Sequence, residues 1–265
     1  MDCLRKADID LSQAELFLHG CTVAINTVLE RKGAKTALVT TRGFRDVYEI
    51  GRCNRTESYN LYFHRPKPLV PRHLRFEVTE RMNFEGKVLT PLATEDLDGI
   101  IEAIRREGVE SVAVCLIHSY ANPAHERQVA ELLKKALPDV YVTISSDIIR
   151  EFREYERTST TALNAYVGPI VVKYLTSLEN RLHESGFDGK MLIMQSNGGA
   201  MSVETAKKIP VAMMESGPVS GVAGAIQVGK ALGYSNVISF DMGGTTAKTS
   251  LSSDGKLQYT TNGYY

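Results

Sequence analysis

The sequence lacks an excess of either charge and any pairing pattern among its cysteines. Lysine plus arginine and aspartate plus glutamate both number 31, so the formal charge is zero and no basic field is present to gather nucleic acid or an anionic membrane. Any anion must therefore be bound locally. The cysteines lie far apart without a C-x-x-C pair, which predicts reduced thiols rather than zinc ligands. They are Cys3, Cys21, Cys53 and Cys115.

Long apolar runs and a secretory leader are also missing. Residues 1–18 carry charges throughout, and no run of eighteen apolar residues occurs, so neither secretion nor membrane insertion is indicated. We therefore expect a cytoplasmic protein. The 265 residues are 43% hydrophobic, which is enough for one large globular domain or two ordinary ones.

Apolar strands alternate with amphipathic helices along much of the chain. The predicted strands include 35–41, 111–117, 140–144 and 191–195, and helical patterns lie between several of them. Such apolar runs are typical of a parallel sheet that is covered on both faces. The pattern predicts an α/β fold.

The passage with the clearest chemistry is 237–251, where an apolar run ends in Asp241 and is followed by two glycines and two threonines. Adjacent glycines can adopt positive φ and let an anion approach backbone N–H groups. Asp241 is then the candidate to hold magnesium or to activate a water. The alternative is an ordinary tight hairpin turn. The candidate phosphate-binding residues are Gly243, Gly244, Thr245 and Thr246.

A second candidate anion site lies where a short strand at 16–20 enters a predicted helix at 21–32. The free N–H groups and the dipole of a helix N-terminus favour a phosphate, so Gly20 and Thr22 are candidate ligand contacts. Thr22 is equally well explained as an N-cap residue.

Two more glycine turns follow apolar segments. Gly198 and Gly199 come directly after the strand at 191–195, and Gly217 precedes a proline at a predicted helix start. The carboxyl ends of strands in open α/β sheets are where ligands bind. Each turn alone is weak evidence, but together they can converge on one nucleotide.

Three other features have simpler explanations. His118, His125 and Glu126 could form a metal site, but an acid in a first helical turn suits the helix dipole. The charged segment 151–157 predicts a solvated, salt-bridged face. The pair at 168–169 is Gly-Pro inside a long helical pattern, which predicts a kink or a break.

Taken in order, the motifs resemble the hydantoinase A/5-oxoprolinase family, which also contains ATP-dependent acetone and acetophenone carboxylase subunits. The resemblance covers nearly the whole chain. It is carried by 18–26 (LHGCTVAIN), 30–34 (ERKGA), 38–46 (LVTTRGFRD), 119–123 (SYANP), 154–160 (EYERTST), 195–199 (QSNGG), 216–218 (SGP) and 241–245 (DMGGT).

The resemblance implies an actin-like ATPase fold of the ribonuclease H type, with mostly parallel sheets flanked by helices and ATP held between two phosphate hairpins. It implies an N-terminal region at 1–144 and an ATPase region at 145–265. The family normally opens with an Asp-Ile-Gly-Gly-Thr hairpin that residues 1–13 do not match. On this basis we expect a fold that is incomplete at both ends.

Two residues depart from the family pattern. Cys21 stands where a threonine is usual, which removes a hydroxyl. Lys248 stands where many members have an acid. A lysine can pair with a phosphate but cannot hold magnesium, so the resemblance does not identify the general base.

The resemblance implies an ATP-dependent hydrolase of cyclic amides such as hydantoin, 5-oxoproline or a related lactam. ATP and Mg²⁺ would activate the amide oxygen by phosphorylation, with Asp241 as the catalytic and metal-binding residue. A partner subunit or domain of the hydantoinase B type is expected. The alternatives are a ketone carboxylase subunit and an inactive fragment that acts only in subunit binding.

Overall fold

The structure is a computed structural model that describes residues 10–52, 57–243 and 247–257. The chain divides into two compact units, one formed by Met1–Arg31 with Lys173–Tyr265 and the other by Lys32–Val172. The strands are β1 Leu16–His19, β2 Thr36–Thr41, β3 Arg75–Val78, β4 Arg81–Met82, β5 Val88–Thr90, β6 Ser111–Cys115, β7 Tyr141–Ile144, β8 Lys190–Met194, β9 Ala200–Ser202, β10 Val237–Met242, β11 Ala247–Ser253 and β12 Lys256–Leu257.

The α-helices complete an α/β architecture, as predicted. They are α1 Val23–Leu29, α2 Val47–Ile50, α3 Asp96–Glu107, α4 Ala124–Ala136, α5 Ser145–Ile148, α6 Glu154–Glu184, α7 Val203–Lys208 and α8 Ser216–Ala231. Short 3₁₀ turns lie at Leu11–Gln13, Arg72–Leu74 and Pro210–Met213.

The unit Lys32–Val172 is built on a four-stranded parallel sheet in the order β3-β2-β6-β7. Every residue of β2 and β6 is buried, because helices supply apolar side chains to the sheet. Leu97 and Ile104 of α3 and Leu133 of α4 belong to this core. Gly108 ends α3 in the left-handed conformation, at φ 60° and ψ 43°, which is how many helices stop.

The other unit contains two small sheets. β1 and β8 pair in parallel with Leu16 opposite Lys190, and β9 adds to β8 antiparallel. β10, β11 and β12 form an antiparallel sheet. The helix α8 packs closely on β10, since a Cβ at Gly229 would lie 2.5 Å from Cγ2 of Val237.

The hairpin of β10 and β11 has an unusual distribution of side chains. Ile238, Phe240 and Met242 are 75%, 64% and 70% exposed. The alternate residues face α8, and among them the hydroxyls of Ser239 and Ser250 lie 3.0 Å apart. The apolar face of this hairpin is therefore the outer one.

The predicted break at 168–169 was wrong, because α6 runs continuously from Glu154 to Glu184 with Pro169 inside it. Proline usually kinks or breaks a helix since it removes one backbone donor. Packing explains the glycine beside it: a Cβ at Gly168 would lie 2.4 Å from a ring carbon of Tyr141.

The predicted solvated face at 151–157 was wrong for Arg157, which is 0% exposed. Its Nη2 donates to the carbonyl of Leu116 at 2.9 Å and to Ser145 Oγ at 2.5 Å, and it also bonds Ser119. Glu126, also 0% exposed, lies 3.7 Å from the same nitrogen. A buried charge is tolerated only when it is paired in this way.

The structure gives no metal role to the histidines near α4. His125 Nδ1 lies 2.7 Å from a carboxylate oxygen of the buried Glu80, while Glu126 accepts hydrogen bonds from Ser145 and from the backbone of Leu116 and Ser146. Within 10–52, 57–243 and 247–257, no group of three or more His, Cys, Asp or Glu residues could hold a metal ion.

The helices of the described segments are too short or too polar to cross a membrane.

Candidate functional site

Several of the predicted site residues meet at the N-terminus of α8. Ser216 Oγ donates to the carbonyl of Cys21 at 3.0 Å and accepts from its backbone N–H at 3.2 Å. The N–H of Gly217 donates to the same carbonyl at 3.3 Å. These bonds attach the segment between β1 and α1 to the first turn of α8.

The close approach of the two segments requires glycine on both sides. A Cβ at Gly20 would lie 2.4 Å from Ser220 Oγ, and a Cβ at Gly217 would lie 3.0 Å from Cγ2 of Thr22. Only a residue without a side chain allows backbones to come this near. Gly217 therefore acts in packing, and its amide is already used.

Thr22 occupies the N-cap position of α1, but its side chain makes no capping hydrogen bond. Its Oγ1 instead accepts from Nδ2 of Asn26 at 3.2 Å. A hydroxyl that accepts one bond still has its own proton to donate. The geometry is thus compatible with the predicted ligand contact.

The glycine turn after β8 uses its amides internally. Gly198, at φ 86°, donates to the carbonyl of Gln195 at 3.1 Å, and Gly199 donates to Asn197 Oδ1 at 2.8 Å. A Cβ at Gly198 would lie 3.8 Å from Val219 of α8. The turn lies beside the first turns of α8 and owes its shape to these bonds.

The hairpin that carries Asp241 is tied to the same helix end. Lys248 of β11 forms an ion pair with Glu215, the N-cap residue of α8. The N–H of Glu215 donates to Ser196 Oγ at 3.0 Å, just after β8. In the antiparallel register Asp241 is the direct partner of Lys248. Asp241 is exposed at the end of β10.

The phosphate-binding turn itself is only partly described. Among the described residues, none apart from its chain neighbours has an atom within 4 Å of a Cβ built at Gly243. Gly244, Thr245 and Thr246 lie outside the described residues, and their predicted role stays a prediction.

Three titratable groups lie next to Gly20. His19 Nε2 is 2.8 Å from the hydroxyl of Tyr174, and burial lowers the pKa of His19. Burial raises the pKa of Tyr174 and also that of Cys21. At neutral pH the imidazole is thus uncharged, and the thiol is a protonated neighbour rather than a nucleophile.

The structure therefore gathers Gly20, Thr22, Gly198 and Gly217 around the start of α8, and the Lys248–Glu215 ion pair joins the hairpin that carries Asp241 to the same helix end. Sequence reasoning missed the pairing of Glu215 with Lys248 and the bridging role of Ser216. Ser216 lies in the motif 216–218 and Lys248 in the passage 237–251, but their partners are 195 and 33 residues away. No spacing rule could have connected them.

The chemistry of the site fits Mg-ATP. Mg²⁺ usually keeps several waters and binds through one or two carboxylates together with substrate phosphates. The exposed carboxylate of Asp241 suits that mode, whereas an all-protein metal cage is absent from the described segments.

Comparison with known proteins finds relatives that match over most of the chain. A protein of Methanocaldococcus jannaschii is 42% identical over 94% of this chain and 37% of its own length. Caprolactamase subunit alpha of Pseudomonas jessenii is 33% identical over 94% of the chain and 36% of its own length. The chain thus spans a little over one third of these relatives.

The structure of this chain also matches solved structures over most of its length. A nucleotide-free structure of acetone carboxylase, an enzyme of ATP-dependent acetone carboxylation, superposes on this chain with a TM-score of 0.84 at 31% sequence identity. It covers 96% of this chain and 38% of that one. The ATP-dependent caprolactamase of Pseudomonas jessenii gives 0.79 at 33% identity, over 91% of this chain and 35% of that one.

Two family models match in succession. The hydantoinase/oxoprolinase N-terminal region matches residues 2–137, and the hydantoinase/oxoprolinase model matches residues 157–265. Together they cover more than half of the chain. The chain belongs to the hydantoinase/oxoprolinase family.

Proposed function

We propose that the chain is part of an ATP-dependent enzyme that hydrolyses a cyclic amide such as hydantoin, 5-oxoproline or a related lactam. One observation carries the proposal: the predicted phosphate-contacting segments meet at the N-terminus of α8, and the Lys248–Glu215 ion pair joins the Asp241 hairpin to that point. Similarity to the ATP-dependent caprolactamase of Pseudomonas jessenii supports the same reaction class.

The proposed roles of the site residues rest on the motifs and on where the described residues among them lie. Asp241, exposed at the end of β10, holds Mg²⁺ or positions a water. Gly243, Gly244, Thr245 and Thr246 bind phosphate, and Thr22 offers a hydroxyl at the start of α1. Gly20 and Gly217 allow the segment before α1 to pack against α8, and together with Gly198 and Gly199 they are proposed to line the nucleotide site. When bound, Mg-ATP would supply the phosphoryl group that activates the amide through its oxygen, so that water can add to the carbonyl carbon and the C–N bond of the ring can break, with the nitrogen leaving as the amine.

Two other functions are distinguishable. A ketone carboxylase subunit, as in acetone carboxylase, would share the phosphate site but pass an activated enolate to carbon dioxide. A chain that acts only in subunit binding would form the complex without turning over ATP. A hydantoinase B-type partner is part of each proposal, as is a boundary between the N-terminal region and the ATPase region at 144/145.

The test is substrate-dependent phosphate release from ATP by the chain in complex with its partner. We expect release to depend on a cyclic amide and to fall by at least about a hundredfold in Asp241→Asn, since the loss of a transition-state charge contact costs several kcal/mol. Acetone with bicarbonate serves as the competing substrate pair.

Asp254→Asn is the matched control. Asp254 lies in the turn between β11 and β12 at φ 52°, a conformation that asparagine adopts readily. Its activity should equal that of the unmodified chain. Phosphate release that depends on acetone and bicarbonate would assign the carboxylase instead, and full activity of Asp241→Asn would remove Asp241 from the mechanism.

A further inference from the structure

The ion pair between Lys248 and Glu215 raises the question of why Lys248 is not bound to Asp241. Asp241 and Lys248 are direct cross-strand partners in the antiparallel pair of β10 and β11. Side chains that oppose each other in this way project from the same face of the sheet and are within reach of one another. Opposite charges at such positions ordinarily attract.

Lys248 instead makes its ion pair with Glu215. Glu215 is held in place by its backbone, because its N–H donates to Ser196 Oγ at 3.0 Å and it begins α8. Its side chain makes no capping hydrogen bond, so the carboxylate is committed to the lysine and not to the helix. The Lys248 ammonium has two anionic neighbours, Asp241 and Glu215, and it forms its ion pair with Glu215 at the start of α8.

The consequence falls on Asp241. Within the described segments no cation forms an ion pair with this carboxylate, which is exposed. A carboxylate that is already neutralised by an ammonium is a weak ligand for Mg²⁺, because the cation must first displace the lysine. The free state of Asp241 therefore depends on where Lys248 is held.

We propose that Glu215 is a positioning residue that keeps Lys248 away from Asp241 and so leaves the carboxylate available to Mg²⁺ or to a water. The inference rests on the proposed function for the role of Asp241, but the movement of Lys248 can be tested without it. It also accounts for a lysine at a position where the family resemblance predicts an acid.

The first experiment is a crystal structure of Glu215→Ala. Because the side chain caps nothing, this variant should fold with α8 intact. We expect Lys248 Nζ to move to within about 4 Å of the Asp241 carboxylate, the usual limit of an ion pair. Lys248 that stays directed away from Asp241 overturns the inference, whether or not the protein binds ATP.

The second experiment compares Mg-ATP affinity by isothermal titration in Glu215→Ala, Lys248→Met and the double variant. Release of the lysine onto Asp241 should weaken binding about fivefold in Glu215→Ala, as expected for one competing cross-strand ion pair. The double variant should recover, because no ammonium remains to compete.

A purely structural ion pair gives a different pattern. The two single variants and the double variant would then lose affinity equally, and that result overturns the inference. If the unmodified chain in complex with its partner fails to bind Mg-ATP, the proposed function fails, and the crystal structure of Glu215→Ala alone decides where Glu215 holds Lys248.

Discussion

At the scale of single residues, the burial of Arg157 has a direct energetic consequence. Its guanidinium is fully buried and satisfies the carbonyl of Leu116 and the hydroxyls of Ser119 and Ser145 beside the buried Glu126. Removing one member of a buried ion pair leaves the other charge uncompensated. We expect Arg157→Met to lower the free energy of unfolding by about 3 kcal/mol or more, measured by urea unfolding with far-UV circular dichroism.

The control for this change is Arg127→Met, since Arg127 is the exposed arginine that follows Glu126 in α4. Surface substitutions of this kind usually change stability by less than about 0.5 kcal/mol. Equal unfolding midpoints for the two variants would contradict the assigned role of Arg157.

Tyr141 gives a pH dependence with a defined sign. Burial raises the pKa of Tyr141 to about 12 from its ordinary value of 10.0. The unfolded chain therefore loses this proton before the folded chain does, so the stabilisation is complete below pH 10 and is lost as the pH rises toward 12. The free energy of unfolding should fall by about 2 kcal/mol over that range from this group alone.

Tyr141→Phe should remove that part of the alkaline loss, and unfolding curves at a series of pH values would measure it. Tyr59→Phe is the matched control, because Tyr59 is 100% exposed and gives the folded and unfolded states no reason to differ. A Tyr141→Phe variant that loses stability as steeply as the unmodified chain would show that another group is responsible.

Residue patterns predicted the position of Asp241 on a strand and the glycine at the start of α8, because both are local signals. They did not predict the environment of Arg157. Its partners Ser119 and Ser145 are 38 and 12 residues away, and a run of alternating charges is usually solvated. Burial of one member of such a run depends on tertiary packing that no window of sequence contains.

Among the elements, the hairpin of β10 and β11 has an exposed apolar face. Ile238, Phe240 and Met242 lie on it, and within the described segments β10 pairs with β11 alone. An exposed edge strand with apolar side chains promotes association between chains. We expect concentration-dependent self-association in sedimentation velocity, and we expect Phe240→Lys to reduce it because the charge must stay in water.

Leu89→Lys is the control, since Leu89 of β5 is as exposed as Phe240 at 64% but belongs to a separate hairpin. It should leave the association unchanged. Equal sedimentation coefficients for the unmodified chain and for Phe240→Lys at every concentration would show that this face does not mediate self-association.

Element prediction succeeded where the pattern was long and periodic, as in β2, β6, α3 and α4. It failed at α6, where Pro169 predicted an interruption and the helix continues. Proline removes one hydrogen bond, but a helix of 31 residues makes many others and Gly168 lets it pack against Tyr141. The local cost was outweighed by packing that the sequence pattern does not display.

For the whole molecule, alternation of apolar strands and amphipathic helices was enough to predict an α/β fold, and the order of the motifs was enough to predict the family. The pairing of β1 with β8 was not predictable in this way. Leu16 lies opposite Lys190, and a parallel pair can be separated by any length of chain. Local sequence therefore determines the secondary-structure elements, whereas the pairing of strands depends on the tertiary fold.

The division of the chain has a consequence for its synthesis on the ribosome. β1 belongs to a unit whose remaining segments begin at Lys173, while Lys32–Val172 forms the other unit from one continuous stretch. At typical translation rates that stretch takes on the order of ten seconds to make. The unit Lys32–Val172 can therefore fold first. Until β8 has been synthesised, β1 is an unpaired apolar strand that is accessible to chaperones.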